Sequence, residues 1–147
     1  MTALKVKRIH PDAQLPVYAT PGSACFDLHA YLPNSAAFST CEHATTVVPT
    51  GLAFEVPEGH VMLLFSRSSQ AMKENTRLAN CVGVVDSDYR GEVLVMLTRD
   101  DCRPLWVDHG ARIAQAMIVP IPRVQLVETD TLDLTERGDG GFGSTGA

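Results

Sequence analysis

Apolar residues recur along the chain in short runs rich in valine, leucine and phenylalanine, punctuated by Pro, Gly, Asn and Asp. That rhythm predicts strands rather than helices. The runs place strands near residues 4–9, 24–29, 45–48, 52–56, 61–65, 77–80, 82–85, 92–98, 111–119 and 124–127. Pro57-Glu58-Gly59 reads as a turn, with proline fixing φ and glycine taking the permissive position. Residues 86–91, between two apolar runs, read as a hairpin connection. Only Ser68-Ser69-Gln70-Ala71-Met72-Lys73-Glu74 suits a turn or two of helix. Many short strands in one domain predict an all-β sandwich or jelly roll with no internal repeat.

Polar chemistry gathers at a few points on this pattern. After Pro21-Gly22, a strand carries Asp27 on the face opposite Phe26 and Leu28. A carboxylate there could orient water around a divalent cation, or be an ordinary turn aspartate. Phe65-Ser66-Arg67-Ser68-Ser69 sets an arginine and three hydroxyls where a strand passes into the short helix. The set suits a phosphate, and equally a serine N-cap. The stretch from Asn80 to Glu92 holds Asp86, Asp88 and Tyr89 between apolar flanks. A carboxylate at such a rim could take a proton from water, and the tyrosine could pack on a sugar; plain turn chemistry gives the same letters. Arg112 and Gln115, on an alternating strand, could be buried hydrogen-bonding groups or ligand contacts.

The end of the chain turns polar from Thr129 and then glycine-rich, Arg137-Gly138-Asp139-Gly140-Gly141-Phe142-Gly143-Ser144-Thr145-Gly146-Ala147. Glycine brings backbone N–H groups close to an anion, the hydroxyls add donors, arginine adds a planar fork, and Phe142 offers a stacking face. A polar tail of this kind packs on nothing by itself and needs a ligand or a neighbour to order it.

Composition narrows the possibilities. With 147 residues, 45% hydrophobic and 20% charged, the chain can bury one core. A net charge of −5 argues against a nucleic-acid partner, though a few local arginines suffice for a triphosphate. The four cysteines and five histidines are scattered, with neither zinc spacing nor C-x-x-C pairing, so reduced thiols are expected. No run approaches the roughly 20 apolar residues of a membrane span, and no signal peptide is expected, which makes the cytoplasm the default location.

Five segments in order resemble the five motifs of the trimeric dUTP nucleotidohydrolases, the dUTPases. PGSACFDLHA (21–30), SRSS (66–69), GVVDSDYRGEV (83–93), GARIAQAMI (110–118) and RGDGGFGSTG (137–146) span nearly the whole chain. The resemblance implies a distorted jelly-roll, β-clip subunit over residues 1–136, with a mobile arm at 137–147 closing a neighbour's active site in a homotrimer. It implies hydrolysis of dUTP to dUMP and pyrophosphate with Mg²⁺, limiting uracil in DNA and supplying dUMP for dTTP synthesis. Asp86 would activate the attacking water. Asn80, the backbone at Val84, Val85 and Leu94, and Tyr89 would hold the nucleoside. Arg67, Ser68, Ser69 and Gln115 would hold phosphate. Asp27 would act on magnesium through water. Arg137, Phe142, Gly143, Ser144 and Thr145 would close over the ligand. Two positions depart from the family pattern: Gln70 replaces a packing leucine, and Ser66 stands where proline or glycine is common. The related dCTP deaminases need a glutamate where this chain has Met96, which disfavours deamination. A regulatory nucleotide-binding module of the same fold is a rival to the enzyme. A purely structural jelly roll is another, and it leaves the arm unexplained.

Overall fold

The computed structural model describes residues 3–33, 37–39, 45–101, 103–141 and 144, with 37–39 as backbone alone. Within them the chain runs β1 (Lys5–Arg8), β2 (Phe26–His29), β3 (Ala37–Ser39), β4 (Thr46–Glu55), β5 (His60–Phe65), α1 (Ser68–Glu74), β6 (Thr76–Leu78), β7 (Gly83–Val85), β8 (Glu92–Arg99), β9 (Leu105–Val107) and β10 (Arg112–Pro120). Two four-stranded sheets, ordered β1-β4-β8-β6 and β2-β10-β5-β7, are accompanied by a β3-β9 pair. Every strand pairing among the described residues is antiparallel. This is the jelly-roll-like all-β architecture expected from the sequence.

Alternation explains how the sheets pack. On β8, Val93, Val95 and Leu97 point inward while Leu94 and Met96 face out. They meet Val48, Leu52 and Phe54 of β4 and Leu28, Met62 and Ile113 of the other sheet in one continuous core. Each such side chain contributes about 1.5–3 kcal/mol by leaving water.

Four expectations are corrected by the structure. The strands expected at 45–48 and 52–56 are one strand, β4. Pro49 and Gly51 do not break it, because the register shifts there in a bulge, where a missing N–H and a positive φ are tolerated. Gly51 has φ +68°, and a side chain on it would start 2.7 Å from Ala13 Cβ. The segment 86–91 is not a hairpin: β7 pairs with β5 and β8 with β4, so these residues step from one sheet to the other. Residues 124–127 form no strand; the last strand ends at Pro120, and Val124, Leu126 and Val127 are exposed. Finally, β3 and β9 add a pair absent from the expected set, being three-residue strands too short to show a period. The helix has the bounds expected, Ser68–Glu74.

Candidate active site

Asn80, Val84, Val85, Asp86, Tyr89 and Leu94 line a single cavity of about 240 Å³. It opens where β7 ends and the 86–91 crossover begins. Leu64 and Gly83 form part of its wall, and a Cβ on Gly83 would lie 3.0 Å from Leu64 Cβ, so glycine keeps β7 close to β5. Beside the cavity the chain passes through Cys81 at φ +62°, and Val82 N donates to Asn80 O at 2.6 Å.

The crossover is tied down by its own residues. Tyr89 N donates to Asp86 O at 3.2 Å. Arg90 Nη1 donates to the carbonyls of Ser87 (2.7 Å) and Tyr89 (2.9 Å). Glu92 Oε1 accepts from Gly51 N at 2.7 Å, which joins the crossover to the bulge in β4. Asp86, at the rim, is exposed.

A polar cluster forms elsewhere. Asp27 Oδ1 accepts from Arg67 Nε at 2.9 Å and its Oδ2 accepts from Arg112 Nη1 at 3.3 Å. Arg67 Nη1 donates to Ser69 Oγ at 3.3 Å, and Gln115 Nε2 to Ser66 O at 3.0 Å. The serine N-cap does not form. Arg67 is the N-cap in extended geometry without a side-chain cap bond, while Ser66 Oγ accepts from Leu78 N at 2.9 Å. The departure at Ser66 therefore fastens α1's approach to β6. Gln70, the other departure, is buried. Asn75 closes the helix in left-handed geometry and donates to Asp101 at 2.8 Å.

Burial sets the ionisation around Asp27. It lowers the pKa of His29, which is buried with no partner for Nδ1 among the described residues, and raises that of the Cys25 thiol, with the Asp27 charge adding to the second effect. Cys25 and Cys81 are free thiols.

Cavity and cluster are both arrayed along β5. Met62 pairs with Val85, so Asp86 falls beside Val61, whereas Arg67 follows Phe65. Leu64, in the cavity wall, lies three residues before Arg67, while Asp86 at the rim lies six residues of extended chain, roughly 20 Å, from the level of Arg67. One chain therefore brings together the nucleoside residues and, separately, the phosphate residues, with Ser68 exposed beside the latter.

Among the described residues, the hydrogen bonds of the arm reach neither group. Ile121 N donates to Gly59 O at 2.8 Å, and residues 121–139 are exposed. Arg137 Nε turns back on Gly140 O at 2.9 Å, and Ser144 N donates to Gly141 O at 3.1 Å. Phe142, Gly143 and Thr145 lie outside the described residues. Among the described residues no group of three or more His, Cys, Asp or Glu could cage a metal, and no helix is long and apolar enough to cross a membrane. Nothing in the sequence pointed to Glu92, which braces the crossover, and the sequence left open whether Arg112, which shares Asp27, is a buried hydrogen-bonding group or a ligand contact.

A jelly-roll-like subunit with a small nucleoside-sized cavity and a separate arginine–hydroxyl cluster defines a nucleotide-handling β protein. The sequence model of the dUTPase family matches residues 11–146. The deoxyuridine 5′-triphosphate nucleotidohydrolase of Caulobacter vibrioides is 44% identical over 146 residues, covering 98% of this chain and 94% of the relative. That of Hydrogenobaculum sp. is 41% identical, covering 97% of each. The chain belongs to the dUTPase family. In fold it is similar to a Staphylococcus bacteriophage 80alpha dUTPase solved with dUpNHpp, with a TM-score of 0.88 at 24% identity and complete coverage of both chains.

Proposed function

We infer that this dUTPase hydrolyses dUTP to dUMP and pyrophosphate with Asp86 as the general base. The observation that carries the reading is the cavity that holds Asn80, Val84, Val85, Tyr89 and Leu94 together with an exposed Asp86 at its rim. Strand-edge N–H and C=O groups of Val84, Val85 and Leu94 offer uracil fixed donors and acceptors, with Asn80 beside them. Tyr89 lies under the deoxyribose and leaves no room for a 2′-hydroxyl. Asp86 takes a proton from water, the water oxygen bonds to the α-phosphorus, and the bond from that phosphorus to the α,β-bridging oxygen breaks in line, releasing pyrophosphate. Arg67, Ser68, Ser69 and Gln115 hold phosphate oxygens.

The donor set fits a magnesium ion carried by the substrate. The described residues form no three-ligand cage, while Asp27, a carboxylate beside the phosphate cluster, can accept hydrogen bonds from the ion's water. When bound, Mg²⁺ offsets charge on the pyrophosphate group.

The roughly 20 Å of extended strand between the levels of Asp86 and Arg67 supports a homotrimer in which different subunits supply these two residues. The exposed residues 121–136 would carry the 137–147 arm to a neighbour. There Phe142 covers the base while Arg137, Gly143, Ser144 and Thr145 reach the terminal phosphates. The free thiols fit a cytoplasmic setting.

Pyrophosphate release with Mg²⁺, run separately on dUTP, dCTP, dTTP and UTP, tests the reading. Turnover of dUTP alone is expected. Deamination of dCTP would overturn the argument from Met96, and binding of dUTP without turnover would favour a regulatory module instead.

A further inference from the structure

The notable residue outside the site as assigned from sequence is Arg112. Strict alternation would send residues 112 and 115 to opposite faces of a strand. Instead, the register of β10 against β2 shifts between Arg112 and Ala114, with Arg112 opposite His29 and Gln115 opposite Asp27. Ile113 and Ala114 are consequently both buried, and Arg112 shares the face of Asp27 and Gln115.

The two guanidiniums on Asp27 are unequally engaged. Arg67 donates Nε to Asp27 and Nη1 to Ser69, and its side chain is 18% exposed. Arg112 makes one longer contact, 3.3 Å to Asp27, and is 52% exposed. Both line a cleft of about 430 Å³ beside α1, together with Ser69 and Lys73. Among the described ion pairs Asp27 is the carboxylate partner of both guanidiniums, while Glu74 and Asp108 line the cleft without pairing to either.

We propose that Arg112 is a second phosphate-gripping guanidinium, binding the β,γ end of the triphosphate beside Arg67, with Asp27 holding both arginines in place before substrate arrives. The proposal rests on the dUTP-hydrolysis reading and deepens it. It divides the labour: Arg67 is the more fixed fork, and Arg112 the one with donors free to leave a weak contact for a stronger, charge-assisted one.

The test compares wild type, Arg112→Gln, Arg112→Lys, Asp27→Asn and the Asp27→Asn/Arg112→Gln double variant. Calorimetry reads the affinity of the non-hydrolysable α,β-imido dUTP and of dUMP. Arg112→Gln is expected to weaken the imido analogue by about 10- to 100-fold and dUMP by less than about twofold. Arg112→Lys, which keeps the charge and loses the fork, should fall between. The double variant should bind the analogue more weakly than Asp27→Asn alone. Equal losses on dUMP and the analogue, or no loss in Arg112→Gln, would overturn the proposal. So would a double variant no weaker than Asp27→Asn, since Arg112 would then act only through Asp27. The parent reading fails on a different result, wild-type protein without dUTP turnover.

Discussion

The phenol of Tyr89 donates a 2.9 Å hydrogen bond to the main-chain carbonyl of Glu92, the residue whose own carboxylate accepts from Gly51 N. The ring that would discriminate the sugar is thus anchored through Glu92 to the bulge in β4. Between them, Gly91 leaves the space the ring occupies: a Cβ there would sit 2.6 Å from Tyr89 Cζ.

Gly91→Ala should therefore displace the ring. We expect its preference for dUTP over UTP, read as the ratio of kcat/KM values, to fall about tenfold, the scale of one or two lost anchoring contacts. Tyr89→Phe, which loses only the hydroxyl bond, should fall by less. An unchanged ratio in Gly91→Ala would show that the ring's placement does not set sugar choice.

Asp86→Asn keeps the shape of the rim and removes its proton acceptance. Turnover should drop at least ~100-fold while the imido analogue still binds. Single-turnover kinetics beside calorimetry separates the two effects, and wild-type turnover in the variant would remove Asp86 from the base role.

The separation of Asp86 from Arg67 along β5 predicts complementation. Asp86→Asn and Arg67→Ala subunits, each nearly inactive alone, should regain a measurable share of activity when unfolded together and reassembled. Mixed oligomers without any recovery would place both residues in a site built from one chain.

Acid sensitivity should trace to Asp101. Hydrogen bonds from Arg99, then Arg103 and Asn75, hold its carboxyl well below the usual carboxylate range. A carboxyl depressed in the folded state contributes stability above its unfolded pKa of about 3.9 and loses it as pH falls further. Unfolding midpoints in urea should decline below about pH 4 in wild type, and less steeply in Asp101→Asn.

Local chemistry was legible in the sequence, and long-range pairing was not. The bounds of α1 follow from composition alone, whereas the unbroken apolar run Val93–Leu97 gives no sign of which of its residues turn inward. The crossover at 86–91 read as a hairpin because two apolar runs flank a turn, whereas each run found its partner in a different sheet. The bulges at Pro49–Ala53 and Arg112–Ala114 leave only faint marks: a Pro and a Gly inside a strand, and Arg and Gln at an odd separation. The second of these hid Arg112. The apolar residues of 124–127 suggested a strand, yet among the described residues they are exposed and pair with no strand.

A site in which Asp86 and Arg67 come from different subunits would also tie turnover to mass action. In the proposed homotrimer no single chain would hold both within reach of one nucleotide, so a dissociated subunit would be silent even when perfectly folded. Once dilution takes the protein below its assembly range, activity per subunit should fall with the square of total protein, as a three-body association requires. The cell's supply of the chain would then set the nucleotide-cleansing rate more steeply than in proportion.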